Sequence, residues 1–261
     1  MHNGLKAIIP AIIAFMGLTC VLDAQAMTAQ EILQQVDKAS FGENFRVVLS
    51  TKTLKNKKPP LNHVLWLVGA RSQGSNGFFI DFEQPKDSAG LRFLILVQDN
   101  KEAKAFMHLP STGKTLPLAM DDPTADLGGT GLTMDDVRGF IPKGDEESAI
   151  VKEETVEGRD CYVIRIADPG AKAERLIWIT KQDFLVIKSQ YSDENGKIKR
   201  KFRVVEFFKT DKGKEFPREE EILIPDKDTR VIVRQENAVF GVELPQEIMD
   251  PAKFGTFRWK N

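Results

Sequence analysis

Cysteine is scarce, with two in 261 residues, Cys20 and Cys161. A disulfide scaffold is excluded, and stability has to come from a buried apolar core. Histidine is also rare, at three. Beyond the N-terminal segment only His63 and His108 remain, in separate apolar stretches and at no metal-ligand spacing. No G-x-S-x-G occurs, so nothing marks a hydrolase nucleophile. An excess of one charge is missing as well: 37 basic residues meet 38 acidic ones, for a net charge of −1. That balance argues against nucleic acid as a partner. Past the N-terminus, no apolar run approaches the roughly 20 residues of a membrane-spanning helix.

The N-terminus itself is distinctive. Lys6 precedes AIIPAIIAFMGLTCVL, and Ala24-Gln25-Ala26 follows with small residues at the alternate positions signal peptidase reads. This predicts a signal peptide over 1–26, cleaved after Ala26, and delivery to a bacterial periplasm. Pro10 and the short run fit a signal better than an anchor. Lipid anchoring at Cys20 is not expected, because Gly17 and Thr19 stand where a lipoprotein signal favours Leu and a small residue. Cleavage removes Cys20 and leaves a mature chain, 27–261, read as a single domain.

What is present is pattern. Ile32, Leu33 and Val36 share one helical face in 29–40, and Thr28 with Glu31 makes a capping box. The period then changes to two. Short segments rich in β-branched and aromatic residues recur between turn residues: 45–50, 63–70, 77–83, 91–97 and 103–109. After an interruption they resume from 149 to 240, for about eleven strands. The interruption, LPLAMDDPTADLGGTG (116–131), reads as a loop. Thr133 then caps a short helix, MDDVRGFI, whose first-turn Asp135 and Asp136 suit the helix dipole. A loop and helix breaking into a sheet read as a lid.

Asn195-Gly196 predicts a two-residue hairpin turn with both residues at positive φ. Its register pairs Ser192 with Lys199, Gln190 with Lys201 and Lys188 with Arg203. Ile187, Ser189, Tyr191, Ile198, Phe202 and Val204 then share the apolar face. The carboxylate runs Glu153-Glu154, Asp193-Glu194 and Glu219-Glu220-Glu221 sit at strand edges or turns beside lysines. Neighbours on a strand point to opposite faces, so they read as solvated rather than as acid–base pairs. Ser111 to Lys114 (STGK) lacks the Gly-rich motif of a phosphate loop and reads as a turn. Cys161 reads as a core thiol. No cofactor or metal is expected.

In order along the chain, HLPSTGKTLPL (108–118), TMDDVRGF (133–140), EETVEGRDCYVIRI (153–166), WITKQDFLVIKSQYSDENGKIKR (178–200) and LPQEIMDPAKF (244–254) resemble the LolA/LolB-like superfamily. The likeness is to its periplasmic outer membrane lipoprotein-sorting branch, although DDPTADLGGTGL differs from that branch. The resemblance implies a mainly β fold: an incomplete antiparallel barrel closed by helices, with an apolar concavity for acyl chains. It implies no catalytic residues. It also implies a lipid or lipoprotein acyl chain as ligand, an inner-membrane transporter as loader and an outer-membrane acceptor. The apolar strand faces nominate Val47, Leu49, Trp66, Phe93, Ile95, Trp178, Ile187, Tyr191, Phe202 and Val204 as the lining. The rival reading is a sensor or adaptor with the same fold. Its partner surface would be the basic strip Lys188, Lys197, Lys199, Lys201 and Arg203.

Overall fold

The computed structural model describes residues 27–72, 75–98, 103–119, 125–139, 146–170, 172–210 and 213–257. The signal segment 1–26, with Cys20, lies outside them. Among the described residues the chain begins with α1 (Ala29–Phe41). Its capping box is formed: Thr28 N–H donates to Glu31 Oε2 at 2.8 Å and Glu31 N–H to Thr28 Oγ1 at 3.2 Å. Six strands follow: β1 (Phe45–Lys55), β2 (Leu61–Ser72), β3 (Ser75–Gln84), β4 (Arg92–Gln98), β5 (Ala103–Leu109) and β6 (Lys114–Leu118). After α2 (Met134–Arg138) come seven more: β7 (Glu147–Val156), β8 (Arg159–Ala167), β9 (Glu174–Thr180), β10 (Val186–Ser192), β11 (Ile198–Lys209), β12 (Glu215–Ile224) and β13 (Thr229–Phe240). Single-turn helices at Gln246–Met249 and Phe254–Thr256 are the last elements among the described residues.

All thirteen strands join one sheet in the order β6-β5-β4-β3-β2-β1-β13-β12-β11-β10-β9-β8-β7. Every pairing is antiparallel. The first six strands step outward to one edge. The chain then crosses to the opposite edge and steps back until β13 lies beside β1. The sheet is open, since β6 and β7 do not pair. The segment between those edges, with α2 in it, is the crossover. Two corrections to the sequence reading follow. Among the described residues there are thirteen strands rather than about eleven, and the loop over 116–131 begins as the end of β6. Pro117 lacks an amide donor, which an edge strand tolerates, and β6 is largely exposed.

The apolar stripe of α1 covers the inner face at β8–β10, where Ile32, Leu33 and Val36 meet Ile164, Ile166, Ile177 and Ile179. Burying each of the three helix residues contributes about 1.5–3 kcal/mol. A second inner cluster fills the space between β1–β4, β12–β13 and the α2 segment, with Phe82, Phe93, Ile95, Leu127 and Leu132 among its members. On the outer face the C-terminal turns press Ile248 and Phe254 onto Val68, Phe79 and Leu94. Buried Arg92 ties them down, donating to the carbonyl of Gly255 at 2.7 Å while pairing with Asp81 at 3.0 Å.

The hairpin at Asn195-Gly196 also departs from expectation. Gly196 has φ of 74°, but Asn195 is not in the left-handed region. Gly196 N–H donates to Asp193 O at 2.9 Å and Asp193 N–H to Lys197 O at 3.0 Å. The connection is therefore three residues with one left-handed glycine. The Asp193 carboxylate decides it, accepting from the amides of Asn195 and Lys197 at 2.9 and 3.0 Å. Ser192 pairs with Ile198 rather than Lys199, whereas Gln190–Lys201 and Lys188–Arg203 pair as read.

Candidate functional site

The crossover segment lies on the inner face and is fastened from both halves of the sheet. Thr53 of β1 donates its hydroxyl to the carbonyl of buried Thr130 at 2.7 Å. Arg200 of β11 donates to the carbonyl of Gly131 at 2.9 Å and pairs with Asp136 of α2. Asp136 also accepts from the amide and hydroxyl of Thr133 at 2.7 and 2.8 Å, completing a capping box. Between these anchors Gly131 is forced by space and by conformation. Its φ is +78°, and a Cβ would lie 2.5 Å from Val231 Cγ2. The helix is shorter than expected, because Gly139 at φ 84° ends it. Phe140 and Ile141, the end of the expected helix, lie outside the described residues.

Two cavities open beside this cover. The first, about 180 Å³, is walled by α1, by Leu132 and Val137 of the cover, and by inward side chains of β1 and β11–β13. Its volume is more than roughly ten times what one water needs. Its walls are mainly apolar, with Leu49, Phe202, Phe216, Ile222, Val233 and Phe240 prominent. The second, about 400 Å³, is framed by Tyr191, Phe202 and Ile224 with a charged border of Arg175, Lys199, Asp193 and Asp226. Asp136 and Phe202 line both, so the cavities adjoin where the cover is pinned to β11.

One polar group in the first cavity stands apart. Glu220 of β12 is enclosed by protein and retains solvent access only in part. Burial, with the negative charge of Asp136 adding to it, pushes its carboxyl up to about 7 against the pull of a hydrogen bond from Gln235. That bond, from Gln235 Nε2 at 3.3 Å, is its polar partner among the described residues. Glu219 and Glu221, on either side, point outward to Arg234 at 2.7 Å and to Arg203 at 2.6 Å.

The nominated lining residues separate into groups. Val47, Leu49 and Phe202 reach the first cavity, and Tyr191 joins Phe202 in the second. Phe93 and Ile95 face the same way but are sealed in the core under the cover. Trp66 faces outward, donating to Glu83 at 2.5 Å beneath the Arg46 guanidinium. Trp178 packs with Cys161 and Val163, under the ammonium of Lys188 4.0 Å above its ring. Ile187 and Val204 border a separate cavity with Phe207 and Arg203. The cause in β10 is a register shift between Val186 and Lys188. It inserts Ile187 and restarts the alternation, so Val186 reaches the first cavity while Ser189 and Tyr191 reach the second. Sequence reading missed Glu220, Gln235 and the Asp136–Arg200 pair. Parity with Ile222 and Ile224 was the available signal for Glu220.

Among the described residues no group of three His, Cys, Asp or Glu is placed to hold a metal. No described helix is long and apolar enough to cross a membrane. The remaining singled-out groups are structural. His63 has an unpartnered Nδ1 and is held below the usual histidine range by burial. Cys161 is fully buried and its thiol is pushed up by that burial.

An open antiparallel sheet with a helical cover over an apolar hollow is a LolA-like fold, and solved structures bear this out. A DUF1329 family protein from Desulfovibrio piger superposes with a TM-score of 0.76 at 15% identity, covering 85% of this chain and 95% of that one. A Vibrio parahaemolyticus domain named for outer membrane lipoprotein sorting gives 0.76 at 14%, covering 87% and 98%. A LolA superfamily protein from Nitrosomonas europaea gives 0.67 at 18%, covering 86% and 98%. A sequence family described as uncharacterized protein matches residues 74–255, and the chain belongs to it. No curated protein matches the sequence.

Proposed function

We infer that this protein is a periplasmic carrier that holds a lipid or lipoprotein acyl chain in the paired cavities and transfers it toward the outer membrane. The observation that carries this reading is the pair of adjoining hollows on the inner face, apolar within and covered by α1 and the α2 segment. Holding requires burial, not chemistry: each buried CH₂ contributes about 0.8 kcal/mol. A chain held by surface burial alone can pass to a partner offering a more open groove. In this reading the mature chain, 27–261, acts as one lipid-binding domain without catalysis. An inner-membrane transporter loads it and an outer-membrane acceptor receives the cargo. The sensor or adaptor alternative draws less support. Its basic strip is largely engaged, with Lys197 and Lys199 on Asp226 at 2.5 and 2.6 Å and Arg203 on Glu221.

Native mass spectrometry of the mature chain purified from a bacterial periplasm tests the carrier. The expected spectrum holds a lipid adduct that organic extraction removes, on a chain beginning at Met27. A protein that carries no adduct and leaves a neutral apolar fluorophore unbound overturns the reading.

A further inference from the structure

We propose that Glu220 and Gln235 make the first cavity selective for an apolar molecule bearing a cationic amine, and against one bearing a free carboxylate. The proposal rests on the apolar-ligand reading above and names the head group that reading leaves open.

Among the described residues the lining of the first cavity contains Asp37, Asp136 and Glu220 and no lysine, arginine or histidine. Asp37 and Asp136 have cations of their own, Arg71 at 2.7 Å and Arg200. Glu220 is bonded to an amide, which does not balance charge. Lys214 comes near, but it donates to the carbonyl of Ala39 and sits over the Phe216 ring rather than on the cavity wall. An enclosed carboxyl without a counter-ion is costly to ionise. A cationic amine entering the cavity supplies the missing charge and donates hydrogen bonds to the carboxylate. Asp37 Oδ1, buried without a hydrogen-bond partner, leaves a further acceptor in the same wall. A ligand carboxylate would instead meet Glu220 and Asp136 where little water screens them.

The test compares three probes with one chain length, dodecylamine, dodecanol and dodecanoate, each displacing a neutral apolar fluorophore from the mature protein at about pH 8, where the Glu220 carboxyl ionises. Dodecylamine is expected to displace at a concentration about tenfold or more below dodecanoate, with dodecanol between. Glu220→Gln should bring the amine-to-carboxylate ratio within about threefold while leaving dodecanol unchanged, which also reports that the variant is folded. Glu219→Gln, on the outer face, should leave the ratio as in the parent. Dodecanoate binding as tightly as dodecanol, or a ratio that survives Glu220→Gln, overturns the proposal alone. If dodecanol also fails to displace the fluorophore, the apolar-ligand reading falls and the proposal falls with it.

Discussion

Glu219, Glu220 and Glu221 occupy consecutive positions on one strand, yet the two faces of the sheet treat them differently. Outside, Glu219 and Glu221 meet arginines across the strand in partly solvated ion pairs, with Arg230 also on Glu221. Inside, Glu220 faces a hollow with one amide for company. The Glu219–Arg234 pair decorates a surface, where such a bridge contributes about 0–1 kcal/mol, and Glu221, itself buried, is matched by two half-exposed arginines. The inner residue holds a polar group in an apolar space at a standing cost. A run of identical letters thus carries two meanings, separated by the period of two alone.

The contrast can be broken most forcefully from the packed part of the inner face. Ile177 is fully buried under α1. Ile177→Ala should cost about 2–5 kcal/mol in urea unfolding, and a cost near zero would mean that α1 does not seat on β9. Next comes Glu220→Gln, with a sign set by protonation. The folded state keeps the Glu220 proton up to about pH 7, while the unfolded chain releases it near 4.5. The fold therefore loses stability as pH rises through that window. The variant should be the more stable protein above pH 7, by up to about 3 kcal/mol, and the gap should close below pH 4.5. Equal unfolding curves at pH 8 would place Glu220 in ordinary water. Arg200→Ala should cost about 1–3 kcal/mol, with faster amide exchange concentrated in residues 125–139. Uniform exchange would show that Arg200 does not fasten the cover. The smallest effect belongs to the outer face: Glu219→Gln should shift stability by less than about 1 kcal/mol. A larger loss there would erase the distinction between the faces.

What was legible in the sequence was local. Both capping boxes lie within four residues, so Thr28–Glu31 and the Thr133 cap could be read directly. Strand alternation marked most of the sheet, and the ordered strand–turn motifs carried the LolA-like resemblance. Long-range choices were hidden. LWLV in β2 is apolar on both sides, and only the docking of the C-terminal turns makes Val68 an outer residue and leaves Leu67 inside. The inserted Ile187 breaks the alternation on which Tyr191 and Ile187 were placed together. At the hairpin, the Asp193 side chain outweighs the Asn-Gly signal. The strand β6 was obscured by Pro117 and its polar exposure. Gln235 and Glu220 sit on different strands, so no spacing in the chain announces their bond.

The cover has a further property that follows from the strand order. It is the stretch of chain that runs from one free edge of the sheet to the other, from β6 to β7. Its middle is fastened at Thr130 and Gly131, where even a methyl group would strike Val231. The two fastenings stand on β1 and β11, strands of opposite halves of the sheet, so the cover's middle acts as a crosslink between those halves above the hollow.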